Sequence, residues 1–125
     1  VRQYRHGLEV TRYELCAGVI DPTDACPMDA AKRELLEETG YGNGTWEELC
    51  VLGQNPGSMN NLTYSFLARD VEPISKQHLE DTEDITFKLF EPHEVMEMLK
   101  SGYIIQALHA APLWKYFYNN RTQQQ

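Results

Sequence analysis

Glu34, Glu37 and Glu38 are the residues of this chain best placed to do chemistry. They fall at i, i+3 and i+4, and on a helix that spacing puts all three carboxylates on one face within a single turn. Like charges so gathered repel. The arrangement costs stability unless a cation sits among them, and the natural cation for carboxylate oxygens is a hard divalent ion. A solvated acidic helix face would carry the same three glutamates, so their surroundings decide. Arg33 adds a fixed cation beside them, Ala30, Ala31, Leu35 and Leu36 set an apolar face alongside, and Gly40-Tyr41 ends the segment sharply. Upstream, Ala17-Gly18 begins a loop of a length that folds back over this helix.

The elements that must hold these groups follow from periodicity and punctuation. Val1 to His6 and Val10 to Cys16 read as two strands joined at Gly7-Leu-Glu9, pairing as a hairpin. Gly18-Val-Ile-Asp-Pro-Thr-Asp24 is loop chemistry, and a helix starts at Pro27 with Asp29 in its first turn and Gly40 as its cap. Gly42-Asn-Gly44 reads as a turn. Strands are expected over Trp46 to Leu52, Leu62 to Ala68 and Ile85 to Phe90, with a polar loop from Gly53 to Asn61 and acidic residues clustered from Glu80 to Asp84. A helix opening at Glu91 and stopped by Gly102, then one from Ile105 to Tyr116, complete the order β-β-α-β-β-β-α-α. That order predicts one α+β domain over residues 1–118, a mixed sheet covered by helices, and a tail over 119–125.

Composition narrows the function. With 125 residues, 42% of them apolar and 24% charged, the chain has the make-up of one folded domain. Its formal charge of −8, with no basic run beyond Lys32-Arg33, excludes a nucleic-acid-binding face. No apolar stretch reaches bilayer length, so no membrane partner is expected. Cys16, Cys26 and Cys50 are odd in number and form no C-x-x-C pair, which predicts free thiols in a reducing cytoplasm. His6, His78, His93 and His109 lie too far apart for a local metal motif and read as structural or exposed. Trp46, Trp114, Tyr116 and Tyr118 are expected in the core or a subunit interface.

Residues Gly18 to Tyr41 resemble the Nudix box: a glycine, a spaced loop, then Arg-Glu-apolar-x-Glu-Glu-x-Gly-apolar, matched throughout by Arg33 to Tyr41. The loop glutamate of that pattern is absent. Counting forward from Gly18 its place falls on Asp24, and counting back from Arg33 on Ala25, so the loop is one residue longer than usual. Outside the box, Pro56 stands 16 residues after Gly40, a spacing similar to the marker proline of ADP-sugar pyrophosphatases. Gln3-Tyr-Arg5, Glu14-Leu-Cys-Ala-Gly-Val-Ile-Asp21 and Glu80-Asp-Thr-Glu-Asp-Ile85 resemble further parts of that subfamily.

The resemblance implies a Nudix-like α/β/α sandwich that hydrolyses the pyrophosphate bond of a nucleoside diphosphate joined to another group, ADP-ribose to AMP and ribose 5-phosphate first among them. It implies Mg²⁺, with Mn²⁺ as a possible substitute, on Glu34, Glu37, Glu38 and the Ala17 carbonyl, with Arg33 orienting the carboxylates. Glu83 would take the proton of the attacking water, with Glu80 and Asp81 as neighbours able to replace it. Arg5 would fork onto the phosphates beside Gly18, and Pro56, Ser58 and Met59 would line the sugar side. A homodimer is also implied, as are further strands before the 17 residues that precede Gly18, so the N-terminal strands read as truncated. Two alternatives stay open: another Nudix substrate, such as a nucleoside triphosphate or dinucleotide polyphosphate, and a sensor domain that binds ADP-ribose with little turnover.

Overall fold

The computed structural model describes residues 1–121 and orders them as six strands and three helices: β1 (Arg2–Arg5), β2 (Val10–Tyr13), α1 (Pro27–Thr39), β3 (Tyr41–Gly42), β4 (Thr45–Gly53), β5 (Leu62–Arg69), β6 (Glu72–Pro73), α2 (Pro92–Lys100) and α3 (Ala107–Asn119). This is the α+β architecture expected. Residues 122–125, most of the expected tail, lie outside the described residues, and α3 runs to Asn119 rather than stopping at Tyr116.

Short local connections set the pairing. β1 and β2 form the expected hairpin, Arg2 facing Tyr13 and Arg5 facing Val10. β2 ends at Tyr13, short of the expected Cys16, with Glu14 exchanging backbone bonds with Val1 at 2.7 Å just past its end. β3 and β6 continue the register of β4 and β5, since Gly42 faces Glu72 and Thr45 faces Arg69. They form one long hairpin interrupted at Asn43, Gly44 and Asp70, all at positive φ. Every pairing among the described strands is antiparallel, where a mixed sheet was expected. Hairpin connections allow no other direction.

The strand expected over Ile85 to Phe90 does not form. Thr86 makes an isolated bridge to Arg2, with backbone bonds of 2.7 and 3.3 Å. Beyond Thr86 no further pair forms towards Phe90 among the described residues. The other direction leads Asp84 into the turn closed by Glu83 N–H on the Glu80 carbonyl. The segment still anchors itself, through Ile85, which is buried, while Leu89 stays exposed.

α1 is the element that positions the acidic face. Pro27 occupies its first turn, where a missing N–H costs nothing, and Gly40 caps it in the left-handed region at φ 78°, its N–H on the Leu36 carbonyl at 2.8 Å. The Gly40 carbonyl accepts from Ile74 (2.9 Å) and Ser75 (3.1 Å), His78 N–H reaches the Glu37 carbonyl (2.8 Å), and Gln77 Nε2 donates to the carbonyls of Glu38 (2.7 Å) and Ile85 (3.1 Å). The chain from Ile74 to Ile85 is thereby laced over the C-terminal end of α1. A Cβ on Gly40 would sit 2.0 Å from the Ser75 carbonyl oxygen, which is backbone and cannot swing aside. Gly40→Ala is therefore expected to lose about 1–3 kcal/mol from backbone conformation alone and more from the collision. Urea unfolding reads this directly, and an unchanged midpoint would show that the cap does not hold this geometry.

α1 packs against β3 and β5, and α3 against β4, so the long hairpin is contacted by two helices. α2 begins with a reciprocal capping box of Glu91 and Glu94. Ala30, Ile85, Leu99 and Phe117 are buried. Between the helices an apolar cavity of about 300 Å³ is lined by Leu35, Tyr41, Phe90, Met98 and Leu113 among others. Trp114 and Tyr118 are 46% and 64% exposed, outside this chain's core.

Candidate active site

The three glutamates of α1 are graded in depth. Glu38 is 3% exposed, the Glu34 side chain 17% and that of Glu37 41%, so Glu38 lies deepest and Glu37 nearest solvent. Glu38 lies beneath the loop that follows β2, where the Cys16 thiol donates to its Oε2 at 2.8 Å. Burial pushes the Glu38 carboxyl up to about 7, and the charges of Glu34 and Glu83 push the same way. Glu34 is raised as well, again by burial first, with Glu37 and Glu83 adding to it and Arg33 opposing. Glu83, on the loop tied to α1 through Gln77, thus shares one electrostatic environment with the helix carboxylates. Its own Oε1 accepts from Glu80 N–H at 2.8 Å.

Arg33 is the hub of the loop before α1. Its Nε and Nη2 donate to both Asp24 oxygens at 2.9 Å, its Nη2 also to the Val19 carbonyl at 3.1 Å, and its Nη1 to Glu34 (3.0 Å) and Glu37 (3.2 Å). The two-oxygen fork holds the Asp24 carboxyl below the usual carboxylate range. Of the two candidates for the loop position, Asp24 is therefore the one that meets the helix, while Ala25 is exposed. Gly18 brings the loop backbone onto the site. A Cβ there would stand 2.1 Å from Glu34 Cδ, so the glycine allows an approach that any side chain would block. Ala17, just before it, is exposed.

The donor set fits a divalent cation. Glu34, Glu37, Glu38 and Glu83 are hard oxygen donors whose mutual repulsion is answered locally by one guanidinium, and Glu38 keeps its carboxylate buried with a single side-chain donor. Among the described residues no group of three His, Cys, Asp or Glu side chains is already gathered at coordinating distance. Arg33 stands between Glu34 and Glu37 instead, and ligation asks these two carboxylates to turn from it.

The remaining candidates are not drawn into this cluster. Arg5 lies on β1, with Nε 3.2 Å from Glu14 Oε2 and Nη2 on Glu14 Oε1. Pro56, Ser58 and Met59 occupy the exposed tip of the β4–β5 hairpin, where their contacts are local: Ser58 and Met59 N–H both reach the Asn55 carbonyl, at 3.1 and 2.7 Å. Three residues given no role from the sequence prove central to the packing: Cys16 on Glu38, Gln77 across the C-terminal end of α1, and Glu14, buried among polar partners. Only Glu14 carried a sequence signal, a carboxylate in an otherwise apolar run ahead of Gly18.

A family model described as NUDIX domain matches residues 1–108. An ADP-ribose pyrophosphatase of Mycobacterium tuberculosis (strain ATCC 25618 / H37Rv) is 30% identical over 112 residues, covering 89% of this chain and 54% of that protein. A GDP-mannose pyrophosphatase of Enterobacter sp. (strain 638) is 33% identical over 93 residues, covering 73% of this chain and 48% of that protein. The chain thus spans about half the length of these relatives. The crystal structure of an ADP compounds hydrolase superposes with a TM-score of 0.84 at 24% identity, over 98% of this chain and 65% of that one, which establishes the shared fold. No helix among the described residues is long and apolar enough to cross a membrane.

Proposed function

This chain belongs to the NUDIX domain family, and from that premise we propose that it hydrolyses the pyrophosphate bond of a nucleoside diphosphate joined to a sugar, ADP-ribose foremost, releasing AMP and ribose 5-phosphate. The observation that carries this reading is the graded face of Glu34, Glu37 and Glu38, electrostatically coupled to Glu83 and overlaid by the Gly18 loop. A helix whose acidic turn is half buried under such a loop is costly to keep unless the charges have work to do.

Magnesium, or manganese in its place, would be held by Glu34, Glu37, Glu38 and the Ala17 carbonyl, and supplies neutralisation of the pyrophosphate oxygens and a more acidic water. The rest falls to the chain. Glu83 accepts a proton from the water whose oxygen bonds to phosphorus as the bridging P–O bond breaks, the bridging oxygen leaving with the other phosphate. Arg33 orients Glu34 and Glu37 through Nη1 while Asp24 fixes its other edge. Arg5 offers the guanidinium edge not held by Glu14 to the phosphates beside Gly18, and Pro56, Ser58 and Met59 flank the sugar side. The reading includes a homodimer and, with all three cysteines free, a reducing cytoplasmic setting.

A panel of substrates with Mg²⁺ tests it. ADP-ribose should give AMP and ribose 5-phosphate, faster than any triphosphate gives pyrophosphate. The mannose-linked relative makes GDP-mannose the second substrate to try. Preference for a nucleoside triphosphate would overturn the assignment, and tight binding of ADP-ribose without product would reduce the chain to a sensor.

A further inference from the structure

Away from the α1 carboxylates lies a second buried charge that the reaction above leaves without a task. Glu14 has a side chain only 4% exposed. It accepts from Gln3 Nε2 (2.8 Å), Gln106 Nε2 (2.7 Å) and two nitrogens of Arg5, Nε (3.2 Å) and Nη2. Three elements meet on one carboxylate: β1 supplies Gln3 and Arg5, the chain after β2 supplies Glu14, and Gln106 is the N-cap of α3.

The partition of these bonds is what matters. A carboxylate moved out of water is tolerated when its oxygens are fully engaged, and Glu14 meets that condition. Gln3 and Gln106 hold it from both sides, so it is a fixed acceptor. Arg5, by contrast, keeps 40% of its side chain exposed. A guanidinium carries five N–H groups on three nitrogens, and Glu14 takes only the Nε and Nη2 edge. The Nη1 edge is left over, and its direction is set by a buried anchor rather than by a free four-bond side chain.

We propose that Glu14 is a positioning residue, which clamps one edge of Arg5 so that the other is presented, already oriented, to the phosphates of the substrate. The inference rests on the reading that Arg5 meets those phosphates. An arginine fixed beforehand loses less freedom when the ligand arrives, so the benefit falls on substrate capture. Through Gln106 the same clamp ties Arg5 to the start of α3.

A double-mutant cycle on the full chain tests this with ADP-ribose and Mg²⁺. Glu14→Gln should raise KM roughly ten- to a hundredfold, the range expected of a misplaced binding group, while kcat changes much less. In an Arg5→Ala background the same substitution should raise KM little further, because the residue it acts through is gone. Gln106→Met is a milder second variant that keeps both charges, and it should raise KM in the same direction only when Arg5 is present. Circular dichroism and thermal unfolding accompany each protein. If Glu14→Gln raises KM by the same factor with and without Arg5, the role is merely structural and the proposal is overturned. If it lowers KM, Glu14 repels the phosphates and the proposal is again overturned. A wild-type chain that neither binds nor turns over ADP-ribose would bring down the parent reading first, and this one with it, which separates the two failures.

Discussion

Glu38→Gln is expected to remove several orders of magnitude of turnover and, at the same time, to stabilise the metal-free fold above neutral pH. The loss follows from chemistry: a neutral amide cannot replace an anionic ligand to a divalent ion at small cost. The gain follows from burial. Glu38 is 3% exposed and its carboxyl is pushed up to about 7 from the ordinary 4.5. Between those two values the folded chain retains a proton that the unfolded chain releases, so stability falls as pH rises through the interval and stays lower above it. Below pH 4.5 both states are protonated and the penalty is absent. Glutamine never ionises, so the variant escapes the decline, by an amount on the order of 3 kcal/mol at pH 8. Urea unfolding in chelator at pH 4.5 and pH 8 measures it, alongside ADP-ribose turnover in Mg²⁺. Equal turnover would reject Glu38 as a ligand, and a stability difference independent of pH would reject burial of its charge as the cause.

Gly18→Ala should be nearly silent in stability and severe in turnover. The added Cβ would lie 2.1 Å from Glu34 Cδ and 2.2 and 2.6 Å from its oxygens. All three atoms are the far end of a flexible side chain, so Glu34 can move aside, and the fold should keep its stability within roughly 0.5 kcal/mol, as for a surface change. The carboxylate, however, leaves the place where the loop holds it. A displacement of about 1 Å at a reacting centre is enough to cost about 100-fold, and a fall of that size in kcat/KM is expected with an unaltered urea midpoint. Gly40→Ala is the converse, since the obstructing atom there is backbone. Should Gly18→Ala turn over at the parent rate, the close approach of loop and helix has no part in catalysis.

How much of this was legible beforehand depends on where each feature is encoded. α1 was readable because its start, apolar positions and stop all lie between Pro27 and Gly40, and the carboxylate face follows from helical geometry alone. β4 and β5 were readable as strands for the same reason, while their pairing across the loop from Gly53 to Asn61 is seen in the structure alone. Ile85 to Phe90 alternates as a strand should, yet whether it pairs depends on Arg2, at the other end of the sequence, and on a register that periodicity does not specify. The Asp24 and Ala25 positions were indistinguishable by counting, because a loop with one extra residue can place it on either side. The geometry of the Arg33 fork separates them. The segment from Glu14 to Asp21 was legible, but the cluster around Glu14 was not, because it draws in Gln106 from the far part of the chain, which no local motif announces.

The thiol of Cys16 has a consequence for how the protein withstands oxidants. Peroxide and alkylating reagents attack thiolates, and burial, followed by the nearby negative charge of Glu38, pushes the Cys16 thiol far up and keeps it protonated. Cys26, exposed at the start of α1, meets such reagents first. The hydrogen that Cys16 lends to Glu38 is therefore kept on sulfur by the same carboxylate that accepts it.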